Sequence, residues 1–183
     1  NNSYGSKVFV EEGGFFLNNE MDDFSSKPGH PNFYGLIGSE ANSIQPGKRM
    51  LSSMTPSIIL KNNKPSLIVG TPGGSTIITS VLQTILNVYE FDMSVQEAVN
   101  AARFHHQWLP DVVIFEEGIV DKEKDSILKS KSYYIISLPI EVDTGGMSAR
   151  SSIGAVDAIL IDGKGKVSTG ADYRGDDYGE ILK

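Results

Sequence analysis

Residues 51–75, LSSMTPSIILKNNKPSLIVGTPGGS, and the apolar run that follows them constrain the fold of this chain more than any other stretch. Ser57 to Lys61 and Ser66 to Gly70 read as strands joined by a tight turn on Asn62-Asn63. From Ile77 the apolar residues Ile77, Ile78, Val81, Leu82, Ile85, Leu86 and Tyr89 recur with a spacing close to 3.6, which predicts a largely buried helix. Gly73 and Gly74 therefore fall between a strand end and a helix start. Backbone N–H groups there lack partners and can hold an anion or a developing oxyanion. A glycine pair suits the place because a Cβ would block close approach of a ligand to the backbone. With Ser52 and Ser53 just upstream, one compact unit offers two hydroxyls and two amide donors.

No change of composition marks an internal boundary, so the 183 residues are expected to form one domain. A net charge of −7 without clustered Lys or Arg argues against a nucleic-acid partner or an anionic membrane surface. No run reaches the eighteen or so apolar residues of a membrane span. The lack of cysteine excludes disulfides, Cys-ligated zinc and a thiol nucleophile. The opening residues NNSYGSKVFV have neither a basic n-region nor an apolar h-region, so they are not a signal peptide.

Lys7 to Val10 and Gly14 to Leu17 flank an acidic turn and predict a hairpin. The run NNEMDDF, residues 18–24, then places a dense group of acids and amides after an apolar strand. It is either a solvated turn or a cluster for a cation or ammonium group, and it lacks the glycine and distal glutamate of a calcium loop. Ser25 to Lys48 reads as a long ordered loop, pinned by Phe33, Tyr34, Leu36 and Ile37. Ser94 and Glu97 form a capping box that starts a second helix, which ends around Phe104 to Pro110. Adjacent His105 and His106 lack helical metal-ligand spacing and suit packing and hydrogen bonding, and His30 reads as a loop residue. Asp121 caps a short charged helix, with a strand from Tyr133 to Leu138. Ala155 to Ile161 and Lys166 to Thr169 form a hairpin about Asp162-Gly163-Lys164-Gly165. The tail from Ala171 to Asp177 reads as a surface loop. Paired strands with helices grouped between them predict an α+β fold with mainly antiparallel sheet.

Three long motifs in one order carry a resemblance: LNNEMDDFSSKPG, PGKRMLSSMTPSIILKNNKPSLIVGTPGGSTIITSVLQTILNV and ARFHHQWLPD. Together they resemble the small, C-terminal subunit of the gamma-glutamyltranspeptidases, also called glutathione hydrolases. The likeness is strong from Asn1 to Asp111 and looser through MSARSSIGAVDAILID and ADYRG. It implies an N-terminal-nucleophile hydrolase with a four-layer αββα sandwich, of which this chain is the small-subunit part. The precursor cleaves itself, and the new N-terminal threonine of the small subunit attacks a gamma-glutamyl amide with its own α-amino group as base. Water, an amino acid or a peptide then takes the acyl group. The resemblance also implies a large-subunit partner from the same precursor, a donor such as glutathione, no cofactor or metal, and a periplasmic or extracellular location.

Position by position, the resemblance makes Gly73 and Gly74 the oxyanion-hole pair. Ser52 and Ser53 hold the substrate α-carboxylate, and Glu20 and Asp23, helped by Asn1, hold its α-ammonium. The residue types agree with those roles: amides for an oxyanion, hydroxyls for a carboxylate, acids for an ammonium. The chain departs from the family in two places. The segment bearing the threonine and the large subunit with its α-carboxylate arginine are not in these residues, so the chain alone is expected to be inactive and to associate. Tyr173 also stands where the family usually has proline. The alternative is a non-catalytic homologue that binds amino acids or gamma-glutamyl peptides. A phosphate loop lacks its lysine, since Gly74 precedes Ser75, and no G-x-S-x-G elbow surrounds Ser52 or Ser53.

Overall fold

The computed structural model describes residues 4–52, 54–138 and 152–182, and the chain divides into two compact units, Asn1–Ser53 and Met54–Lys183. The first unit is mostly loop. Strands β1 (Phe9–Val10) and β2 (Phe15–Phe16) pair antiparallel across the predicted acidic turn, with Phe9 opposite Phe16, in a shorter hairpin than the sequence suggests. Two 3-10 turns, Glu20–Asp23 and Glu40–Asn42, follow.

The loop from Ser25 to Lys48 is ordered, but not by the apolar residues expected to pin it. Phe33 is 80% exposed, and Tyr34, Leu36 and Ile37 are exposed as well. Polar groups hold the loop instead. The Asn32 Oδ1 atom accepts from the Tyr34 and Leu36 amides at 3.0 Å each, and the Gly29 amide donates to the Gly38 carbonyl at 2.9 Å. Ser25 bridges to Ser43. Such side-chain-to-backbone turns close without an apolar core.

In the second unit, β3 (Ser57–Lys61) and β4 (Lys64–Gly70) form the predicted hairpin. Asn62 and Asn63 both take positive φ, 51° and 61°, the pattern of the type I′ turn whose twist matches the flanking strands. Then come α1 (Ile77–Tyr89), α2 (Val95–Asn100), β5 (Phe104–His105), β6 (Val113–Glu116), α3 (Lys122–Ser130), β7 (Ile135–Leu138), β8 (Asp157–Ile161) and β9 (Val167–Gly170).

An antiparallel sheet has the order β3-β4-β8-β9. Side chains alternate across it, so Ile59, Leu67, Val69, Ala158 and Leu160 share the face that packs with α1 and α2 around buried Val81, Ala98 and Val99. The opposite face carries Ile58 and Ile159, both exposed. The helix α1 is less buried than its apolar count suggests. Its inner side is Ile77, Ser80, Val81, Thr84 and Val88, whereas Ile78, Leu82 and Leu86 are exposed. Ser80 and Thr84 can be inside because their hydroxyls donate to the carbonyls of Ile153 (3.2 Å) and Ser80 (2.9 Å).

The sheet β5-β6-β7 is mixed: β5 and β6 are antiparallel, whereas β6 and β7 run parallel with α3 between them as the crossover, the one parallel pairing among the described strands, which are otherwise antiparallel as expected. Strands β5 and β6 are two and four residues long, too short to show a period in the sequence. The predicted caps are present. Ser94 and Glu97 form a reciprocal capping box at α2, and the Asp121 carboxylate accepts from the Lys124 amide at 2.8 Å at the start of α3.

Candidate active site

Thr71 to Gly74 lead from β4 into the 3-10 turn Gly74–Thr76 and then α1. Gly73 has φ 142° and ψ 12°, and Gly74 has φ 56°, both on the side of the conformational map that side chains disfavour. The Gly73 carbonyl is held by two donors from Thr76, the amide at 3.1 Å and the hydroxyl at 2.9 Å. A Cβ on Gly73 would lie 2.5 Å from that hydroxyl, so glycine is required by space as well as by φ. Among the described residues neither the Gly73 nor the Gly74 amide finds an acceptor. Two main-chain donors one 3-10 turn ahead of a 13-residue helix can stabilise a developing oxyanion.

Close to this turn lies a feature that the sequence reading missed. The tail expected to be a surface loop keeps Tyr173, Asp176 and Asp177 exposed but turns two side chains inward: Asp172 is 1% exposed, and Arg174 is buried with it. They join Arg103 and Glu116, also 1% exposed, in a buried quartet of two guanidiniums and two carboxylates. Arg174 grips Glu116 through Nε and Nη2 at 2.8 and 2.6 Å and reaches Asp172 through Nη1 at 2.8 Å. Arg103 Nη2 donates to Asp172 at 2.5 Å and also to the Val99 carbonyl. The carboxylates accept backbone amides too: Arg103 and Ile153 donate to Glu116 at 2.7 and 3.1 Å, and Val156 and Arg174 donate to Asp172 at 2.8 and 3.0 Å. Burial alone would raise the Asp172 carboxyl, but the Arg103 charge and these amides outweigh it and hold the group below its ordinary value. Burial would likewise lower Arg174, and the two hydrogen bonds to Glu116 overcome it. Arg103 is lowered by burial against the pull of Asp172, yet a guanidinium stays protonated. Tyr173, the departure from the family pattern, lies against the quartet, with the Arg174 guanidinium 4.5 Å from its ring centroid. The sequence signal was a pair of opposite charges two residues apart beside glycine, which is common in solvated loops as well.

The remaining candidates belong to the first unit. Glu20 and Asp23 share one 3-10 turn with Asp22. Asp23 is half-buried, and its carboxyl is raised by that burial and by the like charges of Glu20 and Asp22. A half-buried acid with acidic neighbours gains most from an added cation. The Asn42 side chain donates to the Asp23 carbonyl at 2.7 Å and accepts from the Leu51 amide at 2.9 Å, so one amide ties the acid turn to the residue before Ser52. Ser52 itself is exposed. Asn1 and Ser53 lie outside the described residues. Glu20, Asp23 and Ser52 thus share the first unit, and Gly73 and Gly74 share the second.

The histidines are placed in packing and hydrogen bonding. His105 is buried, with Nδ1 2.9 Å from the Thr79 hydroxyl and Nε2 2.9 Å from the Gln107 side-chain oxygen, and His106 lies 3.0 Å from Asp111.

A glycine turn with main-chain donors is thus set between a strand and a helix of an α+β layer. The gamma-glutamyltranspeptidase family profile matches residues 1–182, and the chain belongs to that family. It is 44% identical over 183 residues to the glutathione hydrolase proenzyme of Pseudomonas aeruginosa strain PAO1, covering 98% of this chain and 30% of that protein. The chain therefore spans under a third of the length of this curated relative. Among solved structures, the Helicobacter pylori gamma-glutamyltranspeptidase T380A mutant superposes with a TM-score of 0.81 at 47% identity, covering 96% of this chain and 89% of that one. The Pseudomonas nitroreducens gamma-glutamyltranspeptidase complexed with L-DON gives 0.82 at 44% identity, covering 100% of this chain and 90% of that one. These neighbours bear out the fold class expected from the resemblance.

Proposed function

We propose that this chain is the small-subunit part of a gamma-glutamyl hydrolase and transpeptidase that cleaves gamma-glutamyl amides such as glutathione. Gly73 and Gly74 supply the oxyanion hole, Glu20 and Asp23 with Asn1 bind the substrate α-ammonium, and Ser52 and Ser53 bind its α-carboxylate. The nucleophile is a threonine outside these 183 residues, freed by autoproteolysis of a precursor that also yields the large subunit. Its attack forms an acyl-enzyme and places negative charge on the amide oxygen, which two fixed amides stabilise without reorganisation. Water completes hydrolysis, and an amino acid or peptide completes transfer. The observation that carries the reading is the Gly73-Gly74 turn, with two positive φ angles and two amides without an acceptor among the described residues, in a chain of this family.

The full-length gene product tests it. The account expects self-cleavage into two chains and release of nitroaniline from gamma-glutamyl p-nitroanilide, with no turnover by the 183-residue chain alone. A full-length protein that binds glutamate but never processes would favour a non-catalytic homologue, and turnover by the lone chain would place the nucleophile within it. A periplasmic or extracellular site goes with this reading, and cell fractionation checks it.

A further inference from the structure

The buried quartet reaches the glycine turn through one short segment, Ile153 to Val156. The backbone of that segment bonds to the quartet, to Ser80 of α1 and to Thr71 on the approach to the turn. The Ile153 amide goes to Glu116 at 3.1 Å and its carbonyl to Arg103 Nη1 at 2.9 Å, with Ser80 of α1 sharing that carbonyl. The Gly154 carbonyl also faces Arg103, and the Val156 amide goes to Asp172 at 2.8 Å. Between them the Ala155 amide donates to the Thr71 hydroxyl at 2.9 Å, and that hydroxyl donates onward to the Pro72 carbonyl at 2.7 Å. Contact is tight on both sides. A Cβ on Gly154 would lie 2.7 Å from the Thr71 hydroxyl and 3.3 Å from the Pro72 carbonyl, and a Cβ on Gly73 would lie 3.4 Å from the Gly154 Cα.

We propose that Arg103, Glu116, Asp172 and Arg174 are positioning residues for the Gly73-Gly74 amides, acting through residues 153–156 and the Ala155-to-Thr71 hydrogen bond. This rests on the oxyanion-hole reading of those glycines. The quartet suits the task because its charges balance and both carboxylates accept from backbone amides as well as from guanidinium groups, which ties its geometry to the surrounding chain. Moving it moves the floor on which the turn lies. A shift of the amides by a fraction of an ångström weakens stabilisation of the transition state while leaving ground-state capture by the acids and serines intact.

The test is steady-state kinetics of the processed full-length enzyme with gamma-glutamyl p-nitroanilide, together with inhibition by L-glutamate as the ground-state probe. Thr71→Val removes the acceptor for Ala155. It should lower kcat by about tenfold or more with KM and glutamate inhibition within about twofold, and Thr71→Ser should restore kcat. Asp172→Asn should lower kcat in the same way, and the Thr71→Val/Asp172→Asn pair should lose no more than the worse single variant, because both act through one bond. Where Asp172→Asn yields no folded enzyme, Gly154→Ala takes its place in the cycle. Independent, multiplying losses, or a Thr71→Val enzyme with unchanged kcat, would overturn the proposal. Gly73→Ala separates it from the reading beneath. If Gly73→Ala loses activity while Thr71→Val does not, the oxyanion hole stands and the positioning role fails. An active Gly73→Ala removes both.

Discussion

The glycine turn of the second unit and the acid and serine loops of the first are held in opposite ways. The turn adjoins the buried charge quartet, with glycine demanded at Gly73 by a hydroxyl 2.5 Å from where a Cβ would stand. The loops are held by a local turn on Asn32 and by the Asn42 bridge between Asp23 and Leu51, with Phe33 and Ile37 left exposed. A group that stabilises charge developing during reaction gains from being fixed beforehand, since it then costs no reorganisation. A group that captures a charged head group can adjust as it binds, and loops with few buried contacts open at low cost. Under the proposed function the contrast links local rigidity to role, with the fixed region assigned to lowering the barrier and the adjustable region to collecting the substrate.

The largest expected effect breaks the rigid side. Arg174→Ala leaves Glu116 and Asp172 buried without their shared partner and should cost about 3–5 kcal/mol in urea unfolding of the processed enzyme. A loss under about 1 kcal/mol would mean that the quartet is not what fixes this region. Acid should act on the same group. Asp172 has a folded-state pKa below its unfolded value, so its contribution is present above about 4 and is lost as pH falls through the depressed value.

On the adjustable side, Asp23→Ala should cost on the order of 2–4 kcal/mol in kcat/KM for a gamma-glutamyl anilide, expressed mainly in KM. Unchanged kcat/KM would remove Asp23 from the head-group site. A smaller effect sharpens the assignment. Because burial and neighbouring acids raise the Asp23 carboxyl, it protonates at higher pH than an ordinary aspartate, where the proposed ammonium capture should fail. KM should therefore rise as pH falls through that raised value in the wild type, and the rise should vanish in Asp23→Asn. The smallest effect concerns the loop itself. Phe33→Ala should change stability by no more than about 0.5 kcal/mol, because the ring is 80% exposed.

The strand hairpin, the glycine turn, the start of α1 and both helix caps were legible in the sequence because each depends on a few adjacent residues. Asn62-Asn63, Gly73-Gly74, Ser94 with Glu97, and Asp121 all act within four positions of their partners. The inward side of α1 was not legible, since Ile78, Leu82 and Leu86 are as apolar as the residues that face the sheet. The quartet was hidden for a different reason. Its members come from positions 103, 116, 172 and 174, and only the folded arrangement of β6, the link between α2 and β5, and the tail brings them into contact. Within the candidate site, the residue types at Glu20, Asp23 and Ser52 were readable, but not the Asn42 bridge that ties their loops together.

The division of labour is tested most directly by comparing two ligands on the processed full-length enzyme. One is L-glutamate, and the other is a gamma-boronic analogue of glutamate, which becomes tetrahedral on a hydroxyl nucleophile. The account predicts that Asp23→Ala weakens both by a similar factor, whereas Gly73→Ala leaves glutamate within about twofold and weakens the boronate by about a hundredfold or more. Equal weakening of both ligands by Gly73→Ala, or none of either, would contradict it.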